Sequence, residues 1–228
     1  DTKRNGVGFI LSQRIMKSVS SVIIVSDRVI AIRIEATPMN IFIVQCYAPT
    51  FDKSDEEKEE FYGVLRSTIN KKMFHEILVL MGDFNSKLGN NKIEDIVGPY
   101  GLGTMNNAGQ DLINFCCEHE LFISNTWYEQ KESTRYTWTA PNGHKNQIDF
   151  ICVSKRFRNS VTNSKARHSP DIGGSDHNPV IANMRIKLKS VQKKKANPKW
   201  DIESLKDINV KNQFTSKCTE TMENIYNH

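Results

Sequence analysis

Leu78-Val79-Leu80-Met81-Gly82-Asp83-Phe84-Asn85 is the segment from which the architecture of this chain can be built. With Ile77 before it, the run to Met81 is continuously apolar, too short for a free-standing helix and marked at both ends. It reads as a strand buried on both faces. The run stops at Gly82, and an acid and an amide follow with one residue between them. Continued alternation predicts Asp83 and Asn85 on one side, with Phe84 turned back toward the core. A carboxylate and a carboxamide then sit together at the carboxyl edge of a central strand, where sheets of α/β type usually build their sites. Gly, Asp and Asn are also ordinary turn residues, so a plain strand-to-loop turn fits the same letters.

Upstream, Ser54-Asp55-Glu56-Glu57 is a capping box, with Ser54 as N-cap and Glu57 three residues on. Phe61, Val64, Leu65 and Ile69 follow at helical spacing, with acids in the first turns and Lys71 and Lys72 at the end. Before this helix, Ile41 to Tyr47 reads as a strand. Strand, helix, strand is a crossover unit that can place both strands in one sheet. Earlier still, Gly8 to Leu11, Val22 to Val25 and Val29 to Glu35 read as strands, the last two joined by a turn at Ser26-Asp27-Arg28.

Downstream, residues 86–106 are rich in Gly and read as a long loop, functional or flexible. Ala108 to His119 reads as a second helix. Leu121 to Ser124, Thr137 to Thr139, Gln147 to Val153 and Pro179 to Ile186 read as strands, and Val161 to Ala166 as an edge strand. Many short strands with two good helices predict an α+β fold, a layered sandwich of packed sheets with helices outside.

The chain has 228 residues, 38% hydrophobic and 25% charged, enough for one sizeable core plus a tail. No apolar run is long enough to span a bilayer, and residues 1–7 do not form a signal peptide. Five cysteines without a C-x-x-C pair read as reduced core residues of an intracellular protein. Net charge is +5, and residues 187–228 carry nine Lys against five acids, so the basicity belongs mostly to a tail. The expected division is a domain over 1–186, then a basic linker and weakly helical tail over 187–228. The lack of a starting Met and the early strand-like run predict a fragment.

Three strand ends carry chemistry. Asp83 and Asn85 follow one strand; Asp149 lies in Gln147-Ile148-Asp149-Phe150-Ile151; Ser175-Asp176-His177 precedes the last strand. Separately, each has a bland reading: a turn, a strand residue facing water, a surface histidine. Together they fit phosphate chemistry. Paired carboxylates hold a hard divalent cation that contacts phosphate. A carboxylate beside an imidazole raises its pKa and fixes its tautomer. A free carboxylate can orient and deprotonate water for in-line attack.

Met81-Gly82-Asp83-Phe84-Asn85, Gln147-Ile148-Asp149-Phe150, Gly174-Ser175-Asp176-His177-Asn178-Pro179 and Cys46-Tyr47-Ala48-Pro49-Thr50 together resemble the motifs of the endonuclease/exonuclease/phosphatase family. The resemblance is greatest to the apurinic-type endonuclease domain of non-LTR retrotransposons of the RTE/BovB type, over residues 5–186. It implies a four-layer, deoxyribonuclease I-like sandwich of two sheets flanked by helices. It also implies a Mg²⁺-dependent DNA endonuclease, with Mn²⁺ as substitute, acting in the nucleus. By the same resemblance Asp83 would orient or deprotonate water, Asn85 assist it, Asp176 bind metal and His177 bind the scissile phosphate with Asp149 as partner. Tyr47 would contact the phosphate or leaving group, and Ser175 and Trp138 would support the site. Thr50 stands where the family often has Asn. The family's first-strand Asn and metal-binding Glu have no counterpart here, since Glu35 falls too late. They are expected upstream of Asp1, with the chain truncated at its N-terminus.

Three readings follow. One is the endonuclease. The second is a catalytically inactive, domesticated remnant serving as a nucleic-acid or protein binding module, favoured for this fragment by the absent Glu. The third keeps the fold but acts on an inositol phosphate or sphingolipid; different surrounding motifs and the Lys-rich tail speak against it.

Overall fold

A computed structural model describes residues 6–167, 174–188 and 202–226. By close contact the chain divides into two units, Asp1–Val191 and Gln192–His228. The first contains, in order, α1 (Gln13–Met16), β1 (Val19–Ile24), β2 (Val29–Ile34), β3 (Ala36–Thr37), β4 (Asn40–Tyr47), α2 (Asp55–Ile69), β5 (Glu76–Asp83), α3 (Asn107–Glu118), β6 (Leu121–Ile123), β7 (Trp138–Thr139), β8 (Lys145–Asn146), β9 (Asp149–Ser154), β10 (Val161–Ala166), β11 (Val180–Met184) and β12 (Lys187–Leu188).

Six strands form one mixed sheet in the order β1-β2-β4-β5-β9-β6. The β4–β5 pair is parallel and is joined through α2, as the crossover pattern requires; its neighbours pair antiparallel. The helix starts where the capping box places it, with the Ser54 hydroxyl accepting from the Glu57 amide at 3.2 Å.

Alternation along β5 divides the core. Leu78 and Leu80 face α2 and α3, joining Phe61, Leu65, Leu112 and Phe115. Ile77 and Val79 face the opposite way, toward Val161 of β10 and Val180, Ala182 and Met184 of β11. The β10–β11 pair is thus a second sheet layered on the first, with helices on the outer face. This α+β sandwich is the expected class.

Two readings of local sequence require correction. Gly8 to Leu11 forms no strand. Ile10 lies fully in water, and the Ser12 hydroxyl instead accepts from the Ile15 amide and starts α1; apolar letters make a strand only where a ladder partner is in reach. Of the cysteines, Cys46, Cys116 and Cys152 are buried and free, whereas Cys117 and Cys218 are exposed. Cys117 falls beyond the edge of the α3 stripe formed by Leu112, Ile113, Phe115 and Cys116, so it turns outward.

The first unit also runs past residue 186, because β12 pairs with β3. In the second unit a short 3₁₀ turn leads into α4 (Ile208–Tyr226). The run Lys193-Lys194-Lys195 lies outside the described residues. No helix among the described residues is long and apolar enough to cross a membrane.

Candidate active site

Strand register builds the first part of the site. Tyr47 closes β4, Asp83 closes β5 and Asp149 opens β9. The ladder sets Tyr47 opposite Asp83 and Asp83 opposite Asp149. A phenol and two carboxylates therefore form one row across three adjacent strands, at a spacing where side chains interact directly. Gly82 makes this possible. Its φ is +152°, and a Cβ there would sit 1.9 Å from the Cys46 carbonyl oxygen.

Beyond Asp83 the chain stops being extended. Asn85 adopts φ +48°, and its amide donates to Asp83 Oδ1 at 2.9 Å. The turn and the site are the same feature. Phe84 is buried, and Asn85 Nδ2 donates to the Ala48 carbonyl at 2.9 Å, so the amide faces the groove beside Asp83. Alternation predicted this grouping, but an Asx turn with a left-handed Asn produces it.

The second part comes from residues 174–179, laid against β7. The Thr139 amide donates to the Asp176 carbonyl at 2.9 Å and the Asn178 amide to the Thr137 carbonyl at 2.7 Å. This pairing delivers the His177 ring to the carboxylate row, with Nδ1 3.1 Å from Asp149 Oδ2. The Ser175 hydroxyl accepts from the His177 amide at 3.1 Å and so shapes the turn. Buried polar groups hold Asp149 from behind. The Thr137 hydroxyl accepts from the amides of Ile148 and Asp149, while Asn125 donates to the Asp149 carbonyl and accepts from the Ile151 amide.

The result is a cluster in which one ligand atom each from Asp83, Asp149 and His177 lies within 4.8 Å of the others. Asp176 stands outside it. Its side chain is exposed, with Oδ2 accepting from the Trp138 indole at 2.7 Å. Trp138 and Ser175 accordingly touch the loop rather than the row.

The electrostatics follow from this crowding. Burial, then the neighbouring Asp149 carboxylate, pushes the Asp83 pKa from 3.8 to about 6, against the opposing pull of the Asn85 amide and His177. The hydrogen bond to Asp149 raises His177 above its ordinary value, with burial opposing it. The Trp138 indole holds Asp176 below the usual carboxylate range. The two carboxylates in one pocket form an oxygen set suited to a divalent cation, whose charge would relieve the Asp83–Asp149 repulsion; hard cations prefer such oxygen ligands.

Several contributing residues carry no sequence signal. Arg28, from the β1–β2 turn, bonds the Tyr47 carbonyl at 3.3 Å, and its guanidinium lies 5.2 Å from the Tyr47 ring centre. Two grooves of about 570 and 660 Å³ share Tyr47, Asp83 and His177; the larger adds Phe51, Asn85, Lys87, Asn106 and Trp138. Of Phe51, Lys87 and Asn106, which the sequence reading did not place at the site, Asn106 alone carries a local signal, as an N-cap residue before α3, where its side chain accepts from the Gly109 amide. The aromatics of the 127–136 loop are structural. Trp127 donates to the Ile96 carbonyl, Tyr128 to the Val161 carbonyl, and Tyr136 is buried.

At its carboxyl edge the mixed sheet thus gathers an acid row, an imidazole–carboxylate pair and a phenol. A family model described as endonuclease-reverse transcriptase matches residues 41–181, and the chain belongs to this branch of the endonuclease/exonuclease/phosphatase family. It is 38% identical over 192 residues to craniofacial development protein 2 of Bos taurus, covering 84% of this chain and 32% of that protein. The protein of the same name from Tragulus javanicus matches at 38% identity, with 84% and 33% covered. The chain thus spans about a third of the length of these relatives. Among solved structures it resembles the endonuclease domain of TRAS1, a telomere-specific non-LTR retrotransposon, with a TM-score of 0.52, 18% identity and 72% and 68% of the two chains covered. It also resembles the 3′ phosphatase NExo from Neisseria bound to product DNA hairpin, with a TM-score of 0.52, 20% identity and 73% and 71% covered. At these identities the structures establish the fold.

Proposed function

We propose that the chain is the nuclease module of a nuclear protein and hydrolyses phosphodiester bonds in DNA, leaving a 3′-hydroxyl. The observation that carries this reading is the His177–Asp149 pair at 3.1 Å directly beside Asp83. Asp83 accepts the proton of an attacking water whose oxygen bonds to phosphorus. Without a cation, burial and Asp149 push its pKa up to about 6, which still leaves it largely ionised at neutral pH. His177, held protonated by Asp149, donates to a non-bridging phosphate oxygen. As the P–O3′ bond breaks, the leaving oxygen takes a proton and departs as the 3′-hydroxyl, with Tyr47 placed in the same row to hydrogen-bond it. Asn85 steadies the water and the phosphate through its amide.

Asp83 and Asp149 would hold a divalent cation, Mg²⁺ or Mn²⁺, which when bound supplies Lewis-acid neutralisation of the phosphate charge. Asp176, with one oxygen held by Trp138, serves instead to fix the loop that presents His177. Retrotransposon-type nicking is the biological form we assign to this reaction, and the TRAS1 likeness supports it. The test is nicking of supercoiled plasmid in Mg²⁺, followed by extension of the nick with a DNA polymerase. An extendable nick is expected; nicks that cannot be extended would refute the assigned polarity of cleavage.

A further inference from the structure

The larger groove holds an aromatic ring that the chemistry above does not use. Phe51 sits in the turn between β4 and α2 and is 74% exposed. A phenyl ring left in water at the rim of a site is a candidate contact for a flat apolar ligand. The ring faces a groove of about 660 Å³ that also contains Asp83, Asn85 and His177, so a ligand held at the acid–imidazole cluster reaches it directly. At the same groove Trp138 has its indole N–H committed to Asp176. Lys87 lines the groove as well, its backbone amide fixed by the Asn106 side chain at 3.0 Å. Asp52, next to Phe51, lines the groove too, and Lys58 Nζ lies 5.8 Å from the Phe51 ring centre.

We propose that this groove is a nucleotide subsite in which an unpaired base next to the scissile phosphate stacks on Phe51 while Lys87 contacts the flanking phosphate. The assignment rests on the phosphodiesterase reading and sharpens it. A stacked base is recognised by its π-face, so the subsite selects unpaired or distorted DNA with little preference for base identity.

Binding can be read without cleavage, by fluorescence anisotropy of labelled single-stranded and duplex oligonucleotides in EDTA. Phe51→Ala is expected to weaken single-strand binding roughly five- to hundredfold, the loss typical of one base stacked on one ring. Phe51→Trp restores it, and duplex binding changes little. Lys87→Ala weakens binding to both DNAs and lowers the salt slope by about one phosphate contact. Because Phe51 is exposed, its variants should melt with the parent. Parent-like single-strand binding by Phe51→Ala would overturn the subsite while leaving the nuclease reading intact. Failure of the parent chain to bind either DNA at low salt would overturn both.

Discussion

His177 Nδ1 lies 3.1 Å from Asp149 Oδ2, and this contact joins two segments that are 28 residues apart in the chain. It gives Asp149 a partner that Asp83, the carboxylate directly opposite it in the ladder, does not have, and in the proposed reaction it readies the imidazole for phosphate. Two acids in one pocket thus acquire different environments, which is how acid and base roles become separated.

That separation can be measured on His177. The hydrogen bond to Asp149 is the largest influence raising its pKa, and burial works against it. Asp149→Asn removes the charge and leaves the burial. A histidine titration followed by NMR should show the His177 pKa falling in the variant relative to the parent. An unchanged value would mean that the pair is not coupled in solution.

Asp83 predicts a trade of stability for function. Its folded pKa of about 6 lies above its ordinary 3.8, so the folded chain binds this proton more tightly than the unfolded chain. The group's contribution is fully present below pH 3.8 and is lost as pH rises through about 6; His177, also raised, has the same sign over the pH range above its ordinary value. Asp83→Asn should therefore stabilise the chain above pH 6, by on the order of 1–2 kcal/mol, while abolishing nicking. The gain should shrink as pH falls toward 4. Melting temperatures across pH 4–8 for both chains check this.

Gly82→Ala addresses the row itself. The added methyl would fall on the Cys46 carbonyl of the neighbouring strand, at a φ that L residues rarely adopt. The expected cost is on the order of 3 kcal/mol, with loss of cation binding because Tyr47, Asp83 and Asp149 no longer align. Chemical denaturation and a Mn²⁺ titration read the two effects separately.

Thr137→Val tests the support behind Asp149. The hydroxyl is buried and accepts two backbone amides, at 2.9 and 3.1 Å. Valine keeps the shape and strands both donors, at a cost of about 2–3 kcal/mol. A loss below about 0.5 kcal/mol would show that these amides find other partners.

Much of this was readable in the letters because it is local. The apolar run before Gly82, the cap at Ser54 and the period of α2 each depend on neighbours within a few residues, and all three appear as expected. The acid and imidazole motifs could be grouped because their resemblance to a family supplies the long-range pairing that periodicity lacks. What could not be read depends on distant partners. Gly8 to Leu11 has strand-like composition but no ladder, and Ser12 turns it into a helix start. Asn125 and Thr137 carry no sign of a supporting role until β9 is laid beside them. Phe51 is left in water by the turn after β4, which no local pattern announces. Asp176, next to His177 in sequence, accepts from the Trp138 indole and lies outside the three-residue cluster.

Comparing plasmid nicking by the parent chain, Asp83→Ala and His177→Ala in Mg²⁺, with EDTA as control, tests the central claim most directly. Conversion of supercoiled to open-circular DNA by the parent alone, abolished by EDTA and reduced at least a hundredfold in each variant, is the predicted result. Equal conversion by all three chains would contradict it, since the chemistry would then lie outside the site that Asp83, Asp149 and His177 form.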